Sequence, residues 1–183
     1  MAHVAIHEII ADRYIQKHPN EIKDVKEFVK GAVAPDLDEE MTNKRKFKDS
    51  SHYGRWSNGN VETNIDKFLE DENVDINQDY WKGYFLHLYT DYQFYNNHFN
   101  EEFEEMRRTK GNLREDYDYL FKEILGRYNV TLSKYTDKYV NVKEGEPRYI
   151  KLEKLLDFIE EISDINIDDK VKLIKQKGME GIK

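Results

Sequence analysis

Between Gly83 and Asp91 the chain reads Gly-Tyr-Phe-Leu-His-Leu-Tyr-Thr-Asp, an apolar, aromatic run carrying one imidazole and one carboxylate. His87 and Asp91 stand four residues apart. On a helix that spacing stacks both side chains on one face, about one turn apart. A run of this composition belongs in a core, where ionisable groups need a reason to be present. A hydrogen-bonded pair is one reason. Metal chemistry is another, because a His and an Asp on one face can grip a divalent ion from the same side.

All six histidines, His3, His7, His18, His52, His87 and His98, lie in the first 98 residues, and there is no cysteine. Disulfides, thiolate metal sites and cysteine nucleophiles are therefore excluded, and any metal site must use His, Asp and Glu. Four segments supply candidate ligands: His3 with His7 beside it, Asp36 after Pro35, His52 in Ser51-His52-Tyr53, and His87 with Asp91. Nitrogen and oxygen donors without sulfur suit Zn²⁺, and also Mn²⁺ or Fe²⁺. Plainer roles exist for each. Asp36 could form a turn and cap the next element. His52 could be a solvated loop residue, and His7 could satisfy a hydrogen bond at the core edge. His18, before Pro19, reads as a surface residue whose charge suits a helix end.

The elements that must position these groups read as helices. Residues 3 to 17 carry Ile6, Ile10 and Tyr14 on one face. A second helix is expected from a cap at Asn20 to about Lys30, through Ile22, Val25, Phe28 and Val29. Gly31-Ala32-Val33-Ala34-Pro35-Asp36 ends it, and Pro35 turns Ala34 away from helical angles, which leaves Asp36 just past a break. Residues 37 to 60 read as an irregular loop with a basic patch at Lys44, Arg45, Lys46 and Lys48. A short helix follows near Val61 to Leu69. The longest helix is expected from about Gln78 to Arg108, with Trp81, Leu88, Tyr92, Tyr95, Phe99, Phe103 and Met106 as its apolar stripe. If it is unbroken, His87, Asp91, His98 and Glu102 share an arc of roughly 60°. Another helix covers about Leu113 to Arg127. Residues 128 to 147 are Tyr-rich and ambiguous, and two last helices fit 149 to 162 and 167 to 177.

Charged residues make up 36% of the 183, with only three prolines and nine glycines, which favours helix over sheet. The expectation is an all-α, single-domain multi-helix bundle over 1–183 with a metal site between helices. Residues 1–108 form its metal-binding part and the helices of 113–177 its C-terminal part. A formal net charge of −8 argues against stable nucleic-acid binding. No apolar run approaches the ~20 residues of a membrane span. The start, Met1-Ala2-His3-Val4, carries no basic region or cleavable apolar segment, so a cytoplasmic protein is expected.

The order of His near the N-terminus, Gly31-Ala-Val-Ala-Pro-Asp36, Ser51-His-Tyr53, then Gly83 to Asp91 resembles the zinc-dependent phospholipase C family. That family is similar in architecture to the S1/P1 nucleases; it is all-helical and hydrolyses phosphate esters at clustered zinc. The resemblance covers about residues 1 to 100. It implies that Asp36, His52, His87 and Asp91 hold one ion. It also implies that Asp91 bridges to a second ion bound by His3 and the chain's own N-terminal groups. The chain departs from the family in lacking the export signal of its secreted lipases. It also departs at the His that should follow the helical Asp closely, near a Pro. His98 comes seven residues after Asp91, about 10 Å along an unbroken helix, so with Glu102 it would hold a separate ion. No further His completes such a site, and a full three-metal cluster is not expected.

The function expected is metal-dependent hydrolysis of a small phosphate-ester or phospholipid-like substrate. Asp36, or a free carboxylate near it, would take the proton from water. The alternative is a metal-stabilised helical binding or structural protein without turnover. A His-Asp-type phosphohydrolase is disfavoured, because no His-Asp dipeptide occurs.

Overall fold

Apolar residues recur at helical spacing along most of the chain, and helices account for nearly all of its regular structure. The computed structural model describes residues 2–37, 51–57 and 60–179. Among these residues it forms eight α-helices. They are α1 (Val4–Lys17), α2 (Val25–Leu37), α3 (Ile65–Glu70), α4 (Asp79–Gln93), α5 (Asn100–Thr109), α6 (Leu113–Tyr128), α7 (Leu152–Ser163) and α8 (Ile167–Lys177). The chain is all-α in class. One small antiparallel hairpin, β1 (Arg55–Ser57) with β2 (Asn60–Glu62), interrupts the helices. The basic patch Lys44 to Lys48 lies outside the described residues.

The core gathers where α1, α2, α4 and α7 meet. Ile6, Ile9, Ile10 and Tyr14 of α1 are fully buried, as are Phe28 of α2, Phe85 of α4 and Ile159 of α7. In α7 the buried set Leu155, Phe158, Ile159 and Ile162 follows the i, i+3, i+4, i+7 rule of an amphipathic helix. The irregular stretch after α6 is tied down by two buried carboxylates. Glu8 accepts from the Ser133 amide at 2.7 Å and from the hydroxyls of Ser133 and Thr136. Asp116 accepts from the amides of Arg148, Tyr149 and Ile150 at 2.9, 2.6 and 2.8 Å. Buried carboxylates are tolerated when donors saturate them in this way.

The second helix and the long helix depart most from the sequence expectation. The second helix starts at Val25 rather than near Asn20. Asp24 is its cap, accepting from the amides of Lys26 and Glu27 at 3.1 Å each. That helix also continues through Pro35, so Asp36 sits on it and not beyond a break. A proline there costs one backbone bond, and burial of Phe28, Ala32 and Val33 offsets it. The long helix expected from Gln78 to Arg108 is interrupted. α4 ends at Gln93, a π-helical turn covers Phe94–His98, and Phe99 leaves helical angles at φ −121°, ψ 22° before α5 begins. Stacked Phe94 and Phe99, with ring centroids 4.4 Å apart, fill the core at the irregularity.

Two glycines let α2 and α4 touch backbone to backbone. A Cβ on Gly31 would stand 1.9 Å from the Tyr80 carbonyl oxygen, and one on Gly83 would stand 2.0 Å from that of Phe28. The neighbours advance in step, Phe28 by Gly83 and Ala32 by His87, so the two helices run side by side in the same direction. Gly83→Ala is expected to destabilise by about 3 kcal/mol or more, because main chain and not a flexible side chain must yield. Gly126→Ala on α6, where nothing lies within 4 Å, should stabilise by about 1 kcal/mol. Urea denaturation of both variants checks the contrast, and equal small effects would mean that the crossing is loose.

Candidate metal centre

The α2–α4 crossing sets the centre. His87 lies one turn beyond Gly83 and Asp36 lies five residues beyond Gly31, so the close approach carries both toward one point. α1 crosses the pair and adds His7. The turn at Ser51-His52 adds a third imidazole. His7, His52, His87 and Asp91 are each 1% exposed, and the Asp36 side chain is 9% exposed.

The donor atoms converge. His52 Nε2 and His87 Nε2 are 3.3 Å apart. Asp91 Oδ2 is 3.4 Å from His52 Nε2 and 3.7 Å from His87 Nε2, while Asp91 Oδ1 is 3.4 Å from His7 Nε2. Asp36 lies 4.0 Å from His7 Nε2 and 3.8 Å from His52 Nε2. Two donors each about 2.1 Å from a shared ion stand about 3–3.5 Å apart in a tetrahedral shell. The observed separations fall at or slightly beyond that span. The groups His7, Asp36, His87 and His52, His87, Asp91 each draw within one ion's reach. They share His87, whose single inward lone pair serves one ion, so they describe one centre.

Outer contacts fix the rings. His87 Nδ1 donates to the Ala32 carbonyl at 2.8 Å, which makes this the protonated nitrogen and turns the bare Nε2 inward. His52 Nδ1 lies 2.9 Å from Ser51 Oγ. The Ser51 carbonyl takes a short hydrogen bond from the Tyr84 hydroxyl, and Tyr84 stacks on Phe68 with centroids 5.4 Å apart. Asp91 Oδ1 also accepts from the Ala2 amide at 3.1 Å. Both ring nitrogens of His7, Asp36 Oδ1 and Asp91 Oδ2 are buried and make no hydrogen bond. Buried polar atoms normally find partners, and so many orphans at one point mark a polar cradle that a cation would satisfy. The residues fit a divalent ion of the zinc, manganese or iron(II) type: three imidazoles, two carboxylates and no sulfur.

Electrostatics agrees with the geometry. Burial alone would raise the pKa of Asp91, but the imidazoles of His52, His7 and His87 hold it well below the usual carboxylate range. Asp36 is also lowered, with burial again opposed by His87, His7 and His52. Burial, with His7 beside it, lowers His87 to about 3, which leaves the imidazole neutral and its Nε2 lone pair available.

Compared with known proteins, the chain matches no family model, no curated protein and no solved structure. The site therefore has to be read from its own atoms. Of the residues singled out in the sequence, Asp36, His52, His87 and Asp91 are brought together. His3 is not among the converging donors: it caps α1, its Nδ1 accepting from the Ala5 amide at 3.2 Å, and its ring packs on Phe121. The π-helical turn spoils the 100° count that aligned His98 with Asp91. His98 faces Glu161 of α7 at 3.5 Å, and Glu102 pairs with Lys154. His7 takes the inward place on α1 that the sequence reading gave to His3. Its signal was helical phase, since His7, Ala11 and Tyr14 are buried together on one face.

Proposed function

We propose that the protein is a metal-dependent hydrolase of phosphate esters, similar in chemistry to the zinc-dependent phospholipases C that its motifs resemble. The observation that carries the reading is the convergence of His7, Asp36, His52, His87 and Asp91 with four of their buried donor atoms unsatisfied. His52, His87, Asp36 and Asp91 would hold a zinc, manganese or iron(II) ion. His7 stands on the other side of Asp91, facing Oδ1 while His52 and His87 face Oδ2. When bound, the ion would supply Lewis acidity toward a phosphoryl oxygen and lower the pKa of water. The chain's own work is to present the neutral imidazole of His87, keep both carboxylates ionised and exclude bulk water. Asp36, the least buried member, would accept a proton from an attacking water. The substrate class, a small phosphate ester or phospholipid-like molecule, and the cytoplasmic setting belong to this proposal. Among the described residues no helix is long and apolar enough to cross a membrane.

Purified protein should contain transition metal by elemental analysis and should hydrolyse nitrophenyl phosphate mono- or diesters. Chelator should abolish turnover and added Zn²⁺ or Mn²⁺ should restore it. Fully loaded protein without chelator-sensitive turnover on esters, phospholipids or nucleic acids would overturn the hydrolase and leave a metal-stabilised binding or structural protein.

A further inference from the structure

Four of the converging side chains stand on helices: His7 on α1, Asp36 on α2, His87 and Asp91 on α4. His52 stands on a turn. A helix fixes its side chains through its own backbone bonds, whereas a turn has to be held from outside. Tyr53 shows that this one is held. Its φ of 53° is left-handed, a region that a bulky residue adopts only where its surroundings keep it there. Its ring meets Phe68 edge-on with centroids 5.3 Å apart, and its hydroxyl donates to Asp71 at 2.9 Å. The His52 carbonyl accepts from the Asn64 amide at 3.4 Å. These contacts tie the far side of the turn to α3 and its two ends.

The near side is held by α4, the helix that carries two of the ligands. Tyr84, one turn before His87, is buried, and its hydroxyl donates to the Ser51 carbonyl. Ser51 Oγ in turn lies 2.9 Å from Nδ1 of His52. With Nε2 turned to an ion, Nδ1 carries the proton and the serine oxygen accepts it. A line of contacts therefore runs from Tyr84 through Ser51 to His52. It ends where His52 Nε2 stands 3.3 Å from His87 Nε2 and 3.4 Å from Asp91 Oδ2. The Tyr84 ring stacks on Phe68 with 7° between the planes. A phenylalanine would stack equally well, so what the hydroxyl adds is its hold on Ser51. α4 supplies two ligands and also the strut that sets a third beside them.

We infer that Tyr84 and Ser51 are the positioning residues that make His52 a metal ligand: the Tyr84 hydroxyl sets the turn against α4, and Ser51 Oγ holds the ring with Nε2 inward. The inference rests on the reading of this cluster as a metal centre. It adds that His52 enters the shell only while both contacts are made. When either is lost, the turn keeps its hold on α3 and the imidazole leaves the ion. His7, Asp36, His87 and Asp91 stay in place on their helices. Both residues act through His52, and neither is itself a ligand.

The test compares wild type, Tyr84→Phe, Ser51→Ala and His52→Ala. Zn²⁺ affinity is measured by competition with a chelating dye, and the visible spectrum is recorded at saturating Co²⁺, which reports the ligands around the ion. Tyr84→Phe and Ser51→Ala should each bind Zn²⁺ about 10- to 100-fold more weakly, the usual cost of losing an outer partner of a ligand. Their Co²⁺ spectra should depart from wild type and approach that of His52→Ala, because the ion has lost the same imidazole. A residue that merely supports the fold would lower the melting temperature and leave affinity and spectrum as in wild type. That result would overturn the inference. If Tyr84→Phe does not fold, Ser51→Ala decides by the same two readouts. A His52→Ala spectrum equal to wild type would also overturn the inference, and would leave a centre built on the other four side chains. Wild type that takes up neither Zn²⁺ nor Co²⁺ would remove the centre and the inference together. None of these readouts requires turnover, so a protein that cleaves no ester could still bear the inference out.

Discussion

Asp91→Ala is expected to strip the metal from the protein and to lower its melting temperature in metal-containing buffer by roughly 10 °C. Asp91 is the hub of the centre, within 3.4 Å of His7 and His52 and 3.7 Å of His87. It also takes the Ala2 amide at 3.1 Å, so its loss frees the start of the chain as well. An ion held by the native state alone contributes RT ln(1 + [L]/Kd), about 4 kcal/mol at a thousandfold excess over Kd. For a chain of this length each kcal/mol moves the melting temperature by about 2–4 °C. His87→Ala should behave alike, because it removes one ligand and leaves the Ala32 carbonyl without its donor. His18→Ala should do neither, since His18 pairs with Glu21 at the end of α1, away from the centre. Chelator supplies the internal control: it should lower the wild type toward the variant and leave the variant where it was. Elemental analysis with thermal melts in both buffers reads all of this. Wild-type metal content in Asp91→Ala would refute the centre.

Periodicity and caps made much of the fold legible in the sequence. α8 begins and ends where its pattern says, behind the Asn166 cap, and α6 starts behind Asn112. What the sequence hid was decided between elements. Pro35 stays helical because α2 packs on α4 through glycines, a contact that no local rule reports. The π-helical turn at Phe94–His98 follows from seating two phenylalanines in the core, and it sends His98 to a different helix. The site shows the same division. His87 and Asp91 stand out because ionisable groups are conspicuous in an apolar run. Choosing between His3 and His7 needed the exact start of α1, since one residue caps the helix and the other lies a turn inside it. The Ala32 carbonyl carries no pattern at all, as it matters only through a neighbour more than thirty residues away.

The second large effect is on acid stability. Metal-free protein should lose several kcal/mol of folding stability between pH 6.5 and pH 4. Burial, with His7 nearby, lowers His87 to about 3; burial and the charge of Arg114 lower His3 to about 4. Unfolded, both return to about 6.5. Below that value the unfolded chain binds protons that the folded chain refuses, so stability falls as pH drops. The stabilisation is complete above pH 6.5 and is lost as pH falls toward 4. At 1.36 kcal/mol per pH unit, each histidine accounts for up to about 3 kcal/mol by pH 4. Asp36 and Asp91, both lowered, extend the decline in the same direction below pH 4, where they begin to protonate in the unfolded chain. Urea denaturation of chelator-treated protein at pH 7.5, 6, 5 and 4 measures the slope. His3→Asn separates the contributions, because asparagine can still cap α1 but does not titrate; it should halve the loss across the window. Stability that stays flat from pH 7.5 to 4.5 would mean that these imidazoles are not held neutral by burial, and would remove the electrostatic argument for a preformed site.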